Sequence, residues 1–314
     1  MGQAIQSALN PTGIQAARIS DLYWLMFWTS TVVYVAVLIA LTVAIWRGRR
    51  SDAGEPSRAT AAKWVTAATA ISIVTLIGLL FASVATGRAM GSLSTENALG
   101  IEVVGYQWWW SVKYKNPTPS LEVTTANELH VPVGRPIAIS LKAFDVIHSF
   151  WVPNLHGKVD LIPGRENLIT LQVDRAGVYR GQCAEYCGLQ HAHMAFNIIA
   201  EESDAFERWL TAQRTPAPPP SSPELTSGLA VVERGPCQMC HTIRGTTAGG
   251  RFGPDLTHVA TRSTLASGTV PNTPDALTSW IKDPQHIKPG TKMPSTGLSE
   301  QELQALVAYL QTLK

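Results

Sequence analysis

A strong field of charge is missing from this sequence. Twenty-five Lys and Arg stand against 23 Asp and Glu, a formal +2, so no large basic face points to nucleic acid. No internal repeat is visible. Residues 1–20 contain no apolar run long enough for the core of a cleaved secretory signal. Two stretches lack charge altogether, Leu22 to Trp46 and Trp64 to Gly87. A bilayer core takes about 20 apolar residues as helix. Both runs therefore read as membrane spans rather than as buried helices of a soluble core, where uncharged runs of this length are uncommon.

Orientation follows from the flanks. Trp24, Trp28, Trp46 and Trp64 lie near the ends of the runs, as an aromatic belt requires. The connection at 47–63 carries Arg47, Arg49, Arg50, Arg58 and Lys63 against Asp52 and Glu55. The positive-inside rule places it in the cytoplasm. The first span then serves as an uncleaved insertion signal. Both termini, and everything after residue 88, face outward.

Beyond the spans the texture changes twice. From about 100 to 202 short alternating runs (PIAISLKAF, ENLITLQV, MAFNIIAE) are separated by turn signals such as PNLHG and DRAG. This pattern predicts an antiparallel β-sandwich or barrel, closed by a short helix at 203–213. Five prolines between 216 and 223 then read as a stiff, extended spacer. The tail reads as helical. Thr273 before Pro274 marks one helix start. Ser299 with Glu302 forms a capping box, Leu298 with Leu303 a hydrophobic staple. Leu303, Leu306, Val307, Leu310 and Leu313 form a buried stripe. The division expected is 1–90 for an N-terminal segment and transmembrane hairpin, 91–213 for the β domain, 214–223 for the linker and 224–314 for an all-α domain.

Only four cysteines are present, in two close pairs. Cys237, Cys240 and His241 spell CxxCH, in which two thiols bond the vinyl groups of a haem and the adjacent imidazole ligates the iron. A redox dithiol is expected near a βαβ pattern, which is absent. A zinc site needs further ligands, for which only His258 and His286 are at hand. After Met239, inside the motif, only Met293 remains as a methionine. It is the candidate sixth ligand, with His258 or His286 as the runner-up. This segment resembles a small c-type cytochrome domain. The resemblance implies that Pro254 lies against the haem and that its carbonyl accepts from His241.

The other pair, Cys183 and Cys187, is followed by His191 and Met194. Outside the cytoplasm a disulfide is the default reading. Sulfur with imidazole is equally a copper-favouring set, and zinc from Cys183, Cys187, His191 and one distant histidine stays open. A single blue-copper site leaves one thiol over, whereas two copper ions bridged by both thiolates use the pair. The second histidine must then come from another strand. His148, in FDVIHSFWVP, fits best, with His130, His156 and His193 competing.

These runs are closely similar to subunit II of haem–copper cytochrome c oxidases: Asp145 to Pro153 around His148, Lys158 to Arg165, Cys183 to Met194, and Gly105 to Trp110. The tail resembles the cytochrome c domain fused to that subunit in some bacteria. The resemblance implies a cupredoxin-like fold and a dinuclear copper centre, CuA, held by His148, Cys183, Cys187, His191, Met194 and the Glu185 carbonyl. It implies that the Glu185 side chain reaches a Mg²⁺ or Mn²⁺ at the boundary with the catalytic subunit, and that Trp108 receives electrons from a cytochrome c.

The function so implied is electron input to a terminal oxidase. A reduced cytochrome c or similar donor delivers through haem c and CuA to a partner, subunit I, where O₂ becomes water. Further membrane subunits and lipid are expected partners, and the place is the bacterial cell membrane with both cofactor domains on the periplasmic face. No histidine lies in either span, so the oxygen-reducing site belongs to another chain. The same module in a nitric oxide reductase, or a tethered shuttle without a catalytic partner, are the alternatives. Between 91 and 210 nine basic residues face thirteen acidic ones, which would steer a basic partner. One departure stands out: relatives carry a glutamate near the start of the second span, and no acidic residue lies between Lys63 and Arg88 here.

Overall fold

The computed structural model describes residues 5–50, 57–91 and 93–314. Asp52 and Glu55, used above in the charge balance of the connection, lie outside the described residues. The described chain forms two units. One is Ala17–Leu93; the other joins the residues before Ala17 to those from Ser94 onward.

The first unit is a pair of helices, α1 (Ile14–Gly48) and α2 (Arg58–Met90). The charge-free runs fall inside them. At 1.5 Å per residue each is about 50 Å long, longer than a hydrocarbon core of about 30 Å. No described residue of α2 is buried, and large apolar side chains from Tyr23 to Trp46 of α1 stand exposed. Helices satisfy their backbone internally, so lipid is the solvent that suits this surface. Tyr23, Trp24, Phe27 and Trp28 stack on one another near one end of α1. At the other end the Arg50 guanidinium lies 3.7 Å over the Trp46 ring. Ser57 caps α2 by accepting from the Thr60 amide.

The second unit begins with two five-stranded sheets. Their strands are β1 (Leu99–Tyr106), β2 (Trp109–Tyr114), β3 (Val123–Ala126), β4 (Glu128–Pro132), β5 (Ile137–Ala143), β6 (His148–Trp151), β7 (Val159–Leu161), β8 (Asn167–Leu171), β9 (Gly177–Cys183) and β10 (Ala195–Glu201). One sheet runs β3-β2-β1-β5-β8, the other β4-β10-β9-β6-β7. Strict alternation of buried and half-buried residues along β1 and β2 puts one face of each strand into the core. Trp110, Phe150, Tyr179 and Phe196 fill the space between the sheets. Each such side chain contributes about 1.5–3 kcal/mol by leaving water. The sandwich is not purely antiparallel. β1 pairs β5 in parallel and β4 pairs β10 in parallel, because the chain crosses between sheets rather than turning back at each strand.

Residues 5–16 belong to this same unit. Ile5 bridges Tyr179 and Gly13 bridges Val173. Thr12 donates its amide to Asn154, and Gln15 reaches the Thr170 carbonyl.

After α3 (Ser203–Ala212), whose Phe206 and Leu210 join the sandwich core, comes the proline-rich stretch. It is less free than a spacer. The Ala217 amide donates to Arg244, and the Thr215 carbonyl lies 3.1 Å from His258 Nε2. Pro223 itself starts the next helix, α4 (Pro223–Arg234), capped by Ser222. The tail continues with α5 (Cys237–Cys240), the short pair β11 (Thr264–Leu265) and β12 (Val270–Pro271), α6 (Pro274–Lys282), α7 (Pro284–Ile287) and α8 (Glu300–Leu310). Thr273 caps α6, and Ser299 and Glu302 form both bonds of the capping box on α8. The stripe of α8 is buried as its periodicity requires. α4 crosses it closely. A Cβ at Gly228 would stand 2.1 Å from the Ala305 carbonyl oxygen, so only glycine permits this approach.

Candidate metal centres

Cys183 ends β9 and His148 begins β6, its neighbour, where Phe150 pairs with Cys183. The loop 184–194 joins β9 to β10 and is tied at its mouth by Cys183 donating its amide to the Met194 carbonyl at 2.9 Å. Gly188 turns the loop with a φ of +111° and lies against Trp108; a side chain there would meet both penalties. Gly105 leaves similar room beside the His148 ring.

The loop and the strand together bring six donors into one place. Cys183 Sγ and Cys187 Sγ lie 3.7 Å apart and unbonded. His148 Nδ1 is 3.9 Å from the first sulfur and His191 Nδ1 is 3.6 Å from the second. The Glu185 carbonyl is 3.2 Å from Cys183 Sγ, and Met194 Sδ 3.8 Å from Cys187 Sγ. Each sulfur thus has one imidazole and one weak donor beside it. Both cysteines, His148 and Met194 are buried. The competing histidines are elsewhere engaged. His130 stacks on Trp209 and faces Glu201, His156 Nδ1 lies 2.8 Å from the Gly157 carbonyl, and His193 Nδ1 lies 2.7 Å from Gln190 Oε1.

Electrostatics favour cation binding. The close pairing with Cys187 holds Cys183 far below the ordinary thiol range, and His148 adds to this against the effect of burial. The same pairing, with burial, pushes Cys187 up. A metal bound between the two sulfurs would take the place of the remaining proton. Asp145 fixes the His148 ring, Nε2 donating to Oδ1 at 3.0 Å, which leaves Nδ1 free for a metal. Burial alone would raise Asp145, but bonds from His148, the Gln107 and Val146 amides and Lys292 outweigh it and hold the carboxyl below the usual range. Sequence reasoning quoted Asp145 and gave it no role; its position three residues before a ligand candidate was the available signal.

Trp108 is buried and donates Nε1–H to the Cys187 carbonyl at 3.0 Å, which Gln107 Nε2 also reaches. The Glu185 carboxylate points the other way, to Lys158 at 3.1 Å, and that lysine also holds Asp160.

In the tail, Cys237 and Cys240 bound α5, and His241 follows it. His241 Nδ1 donates to the Pro254 carbonyl at 2.7 Å, so Nε2 keeps its lone pair. Burial pushes this imidazole down, outweighing that bond, and a neutral ring is the ligating form. Gly253 gives the ring space, since a Cβ would stand 2.6 Å from Cε1. Met293 packs against the core of this domain. His258 has both nitrogens beside carbonyls, Lys314 and Thr215, and His286 is exposed.

Comparison with known proteins agrees with this geometry. Residues 117–201 match the family model described as "Cytochrome C oxidase subunit II, periplasmic domain", and residues 226–314 match "Cytochrome c". Cytochrome c oxidase subunit 2 of Alkalihalophilus pseudofirmus is 34% identical across the whole chain and 92% of its own length. The Bacillus subtilis protein of that name is 31% identical over 100% and 93%. The periplasmic domain of subunit II (CoxB) of Bradyrhizobium japonicum shares 32% identity over 37% of this chain and 93% of its own, with a TM-score of 0.35. The two families imply CuA copper and haem c, and the sulfur and imidazole donors described above fit both groups in type and number. The chain therefore belongs to the cytochrome c oxidase subunit 2 family, carries a cytochrome c domain, and serves electron input to a haem–copper oxidase.

Proposed function

We propose that His148, Cys183, Cys187, His191, Met194 and the carbonyl of Glu185 hold the dinuclear copper. We likewise propose that Cys237 and Cys240 attach the haem, with His241 and Met293 as its axial ligands and Pro254 orienting His241. The observation that carries the first assignment is the pair of buried, unbonded sulfurs at 3.7 Å, each with an imidazole Nδ1 beside it. When bound, the two groups supply one-electron carriers, and a Met/His iron sits at raised potential. The protein's part is to hold every donor on a rigid sandwich or a packed helix, so that charge changes with little rearrangement. Asp145 keeps His148 in one tautomer, and Pro254 does the same for His241.

The domain division follows: a hairpin to about 90, a copper domain at 91–213, a linker at 214–223 and the haem domain at 224–314. The described segment 5–16, laced to the β domain, puts the chain's start on the same side as the copper site. With the basic connection inside, that side is the periplasmic face of a bacterial cell membrane. A reduced c-type donor delivers to the haem domain, and the Glu185 end of the loop 184–194 faces the catalytic subunit. Lipid surrounds the hairpin. At the subunit boundary the Glu185 carboxylate, whose Oε2 is paired with Lys158, would offer its second oxygen to a Mg²⁺ or Mn²⁺.

The test is a metal count with optical and EPR spectra of the purified full chain. Two copper and one haem per chain are expected, with a mixed-valence copper signal. An intact bond between Cys183 and Cys187 in active material, found by mass spectrometry, would overturn the copper assignment.

A further inference from the structure

Two segments of the cytochrome domain reach onto the copper domain. In the turn at 263–268, Ser263 donates its amide and hydroxyl to the buried Glu128 carboxylate. Ser267 accepts from the Ala195 amide at 3.0 Å and returns its hydroxyl to the Ala195 carbonyl at 2.7 Å. In the loop at 284–292, the Pro289 carbonyl accepts from Gln190 at 2.7 Å, and Gly290 lies against Leu189.

Lys288 stands at the centre. It is 2% exposed, and its ammonium donates to three carbonyls: Trp108 at 2.8 Å, His193 at 2.6 Å and Ala266 at 2.9 Å. An ammonium has three donors and no acceptor, so every one is used. The acceptors belong to three separate segments: the Trp108 turn, the loop 184–194, and the 263–268 turn of its own domain. Burial pushes the lysine down to about 7, against the pull of the nearby Cys187 sulfur. Neither hydrophobic core needs this side chain. A buried ammonium is unfavourable unless fully bonded, so its placement makes sense only as a tie.

We propose that Lys288 is a positioning residue that locks the Met293-bearing loop onto Trp108 and the loop 184–194, so that the fused cytochrome domain is a permanently seated donor and a soluble carrier is shut out from the Trp108 face. The proposal rests on the assignment of the two electron-carrying groups given above. Its interface is made of hydrogen bonds to carbonyls and to the buried Glu128 carboxylate; the ion pair across it among the described residues is Lys292 with Asp145 at 3.2 Å. Transfer between the domains is then first-order and insensitive to ionic strength, unlike an encounter steered by surface charge.

The experiment uses the full chain in detergent, wild type beside Lys288→Met and Lys288→Ala. Hydroxyl-radical footprinting reads Trp108 directly and needs neither metal nor turnover. Trp108 is expected to be protected in wild type and labelled several-fold faster in the variants. Photoreduction of the haem, followed optically at the copper, is expected to be salt-independent in wild type. In the variants it slows by about tenfold or more and acquires salt dependence, while the haem and copper spectra stay unchanged. A variant that keeps both spectra, the wild-type footprint and the wild-type rate overturns the proposal. Where the variants do not fold, the wild type decides: freely labelled Trp108 or a salt-dependent internal rate overturns it, and protection with a salt-independent rate upholds it. Missing metal spectra in wild type would overturn the ligand assignment instead, and the footprint would still decide whether the domain is seated.

Discussion

Asp145 offers the sharpest test of the copper site. Its carboxylate accepts from His148 Nε2 at 3.0 Å, from the Gln107 and Val146 amides at 2.8 Å each, and from Lys292 at 3.2 Å. Asp145→Ala leaves the imidazole and two amides without their acceptor. Hydrogen bonds to a charged group contribute about 1.5–3 kcal/mol each, less than additively, so about 3–5 kcal/mol of stability should go. Asp145→Asn is milder. One oxygen can still serve His148 and Val146, but an amide N–H₂ then faces the Gln107 N–H and Lys292, at a cost of about 1–3 kcal/mol. Freed or misoriented, His148 should lower copper affinity by about 10- to 100-fold. Denaturant unfolding of the metal-free chain measures the first quantity; competition against a copper chelator measures the second. The pH dependence has a definite sign. The folded pKa lies below the unfolded value of about 3.9. The contribution is therefore complete above that value and is lost as pH falls through the folded pKa. The acid limb of unfolding should be shallower in Asp145→Asn. Wild-type copper affinity in Asp145→Ala would refute the claim that Asp145 orients His148.

Cys187→Ser should lose the two-copper EPR signal and bind less copper, and full survival of the signal would remove the bridging role. Met293→Ala should abolish the low-spin Met/His optical signature while the haem stays covalently attached; an unchanged spectrum would point to another sixth ligand. Gly228→Ala drives a methyl to 2.1 Å from the Ala305 carbonyl and 2.7 Å from Tyr309 Cβ. Overpacking of about 1–3 kcal/mol should lower the Tm of the haem domain by roughly 5–20 °C, as calorimetry would show.

Much of the site was legible because it is local. Cys183, Cys187, His191 and Met194 share one loop, and Cys237, Cys240 and His241 one turn, so the sequence shows these donors together; between disulfide, zinc and copper for the first set, the family resemblance favoured copper. The spans and the α8 stripe were legible for the same reason, since periodicity and absence of charge are carried residue by residue. His148 was harder. It lies 35 residues from Cys183, and only strand pairing brings it across, so spacing left His130, His156 and His193 competing with it and the choice of His148 leaned on the family resemblance. The parallel pairs β1–β5 and β4–β10 escaped notice because alternation reports a strand's faces and not its direction. The prolines between 216 and 223 suggested a stiff, extended spacer; the bond from Ala217 to Arg244 depends on a partner that no local pattern names. Lys288 left no mark at all. A lysine in a polar loop looks solvated, and its acceptor at Trp108 lies 180 residues away.

The strap at residues 5–16 has a consequence for biogenesis. Gln6 meets its partner Arg180 across 174 residues of chain, so residues 5–16 find their seat only once the copper domain has been synthesised. Such distant pairing is slow to form. A bulky insertion within residues 5–13 would obstruct the seam at Tyr179 and Val173.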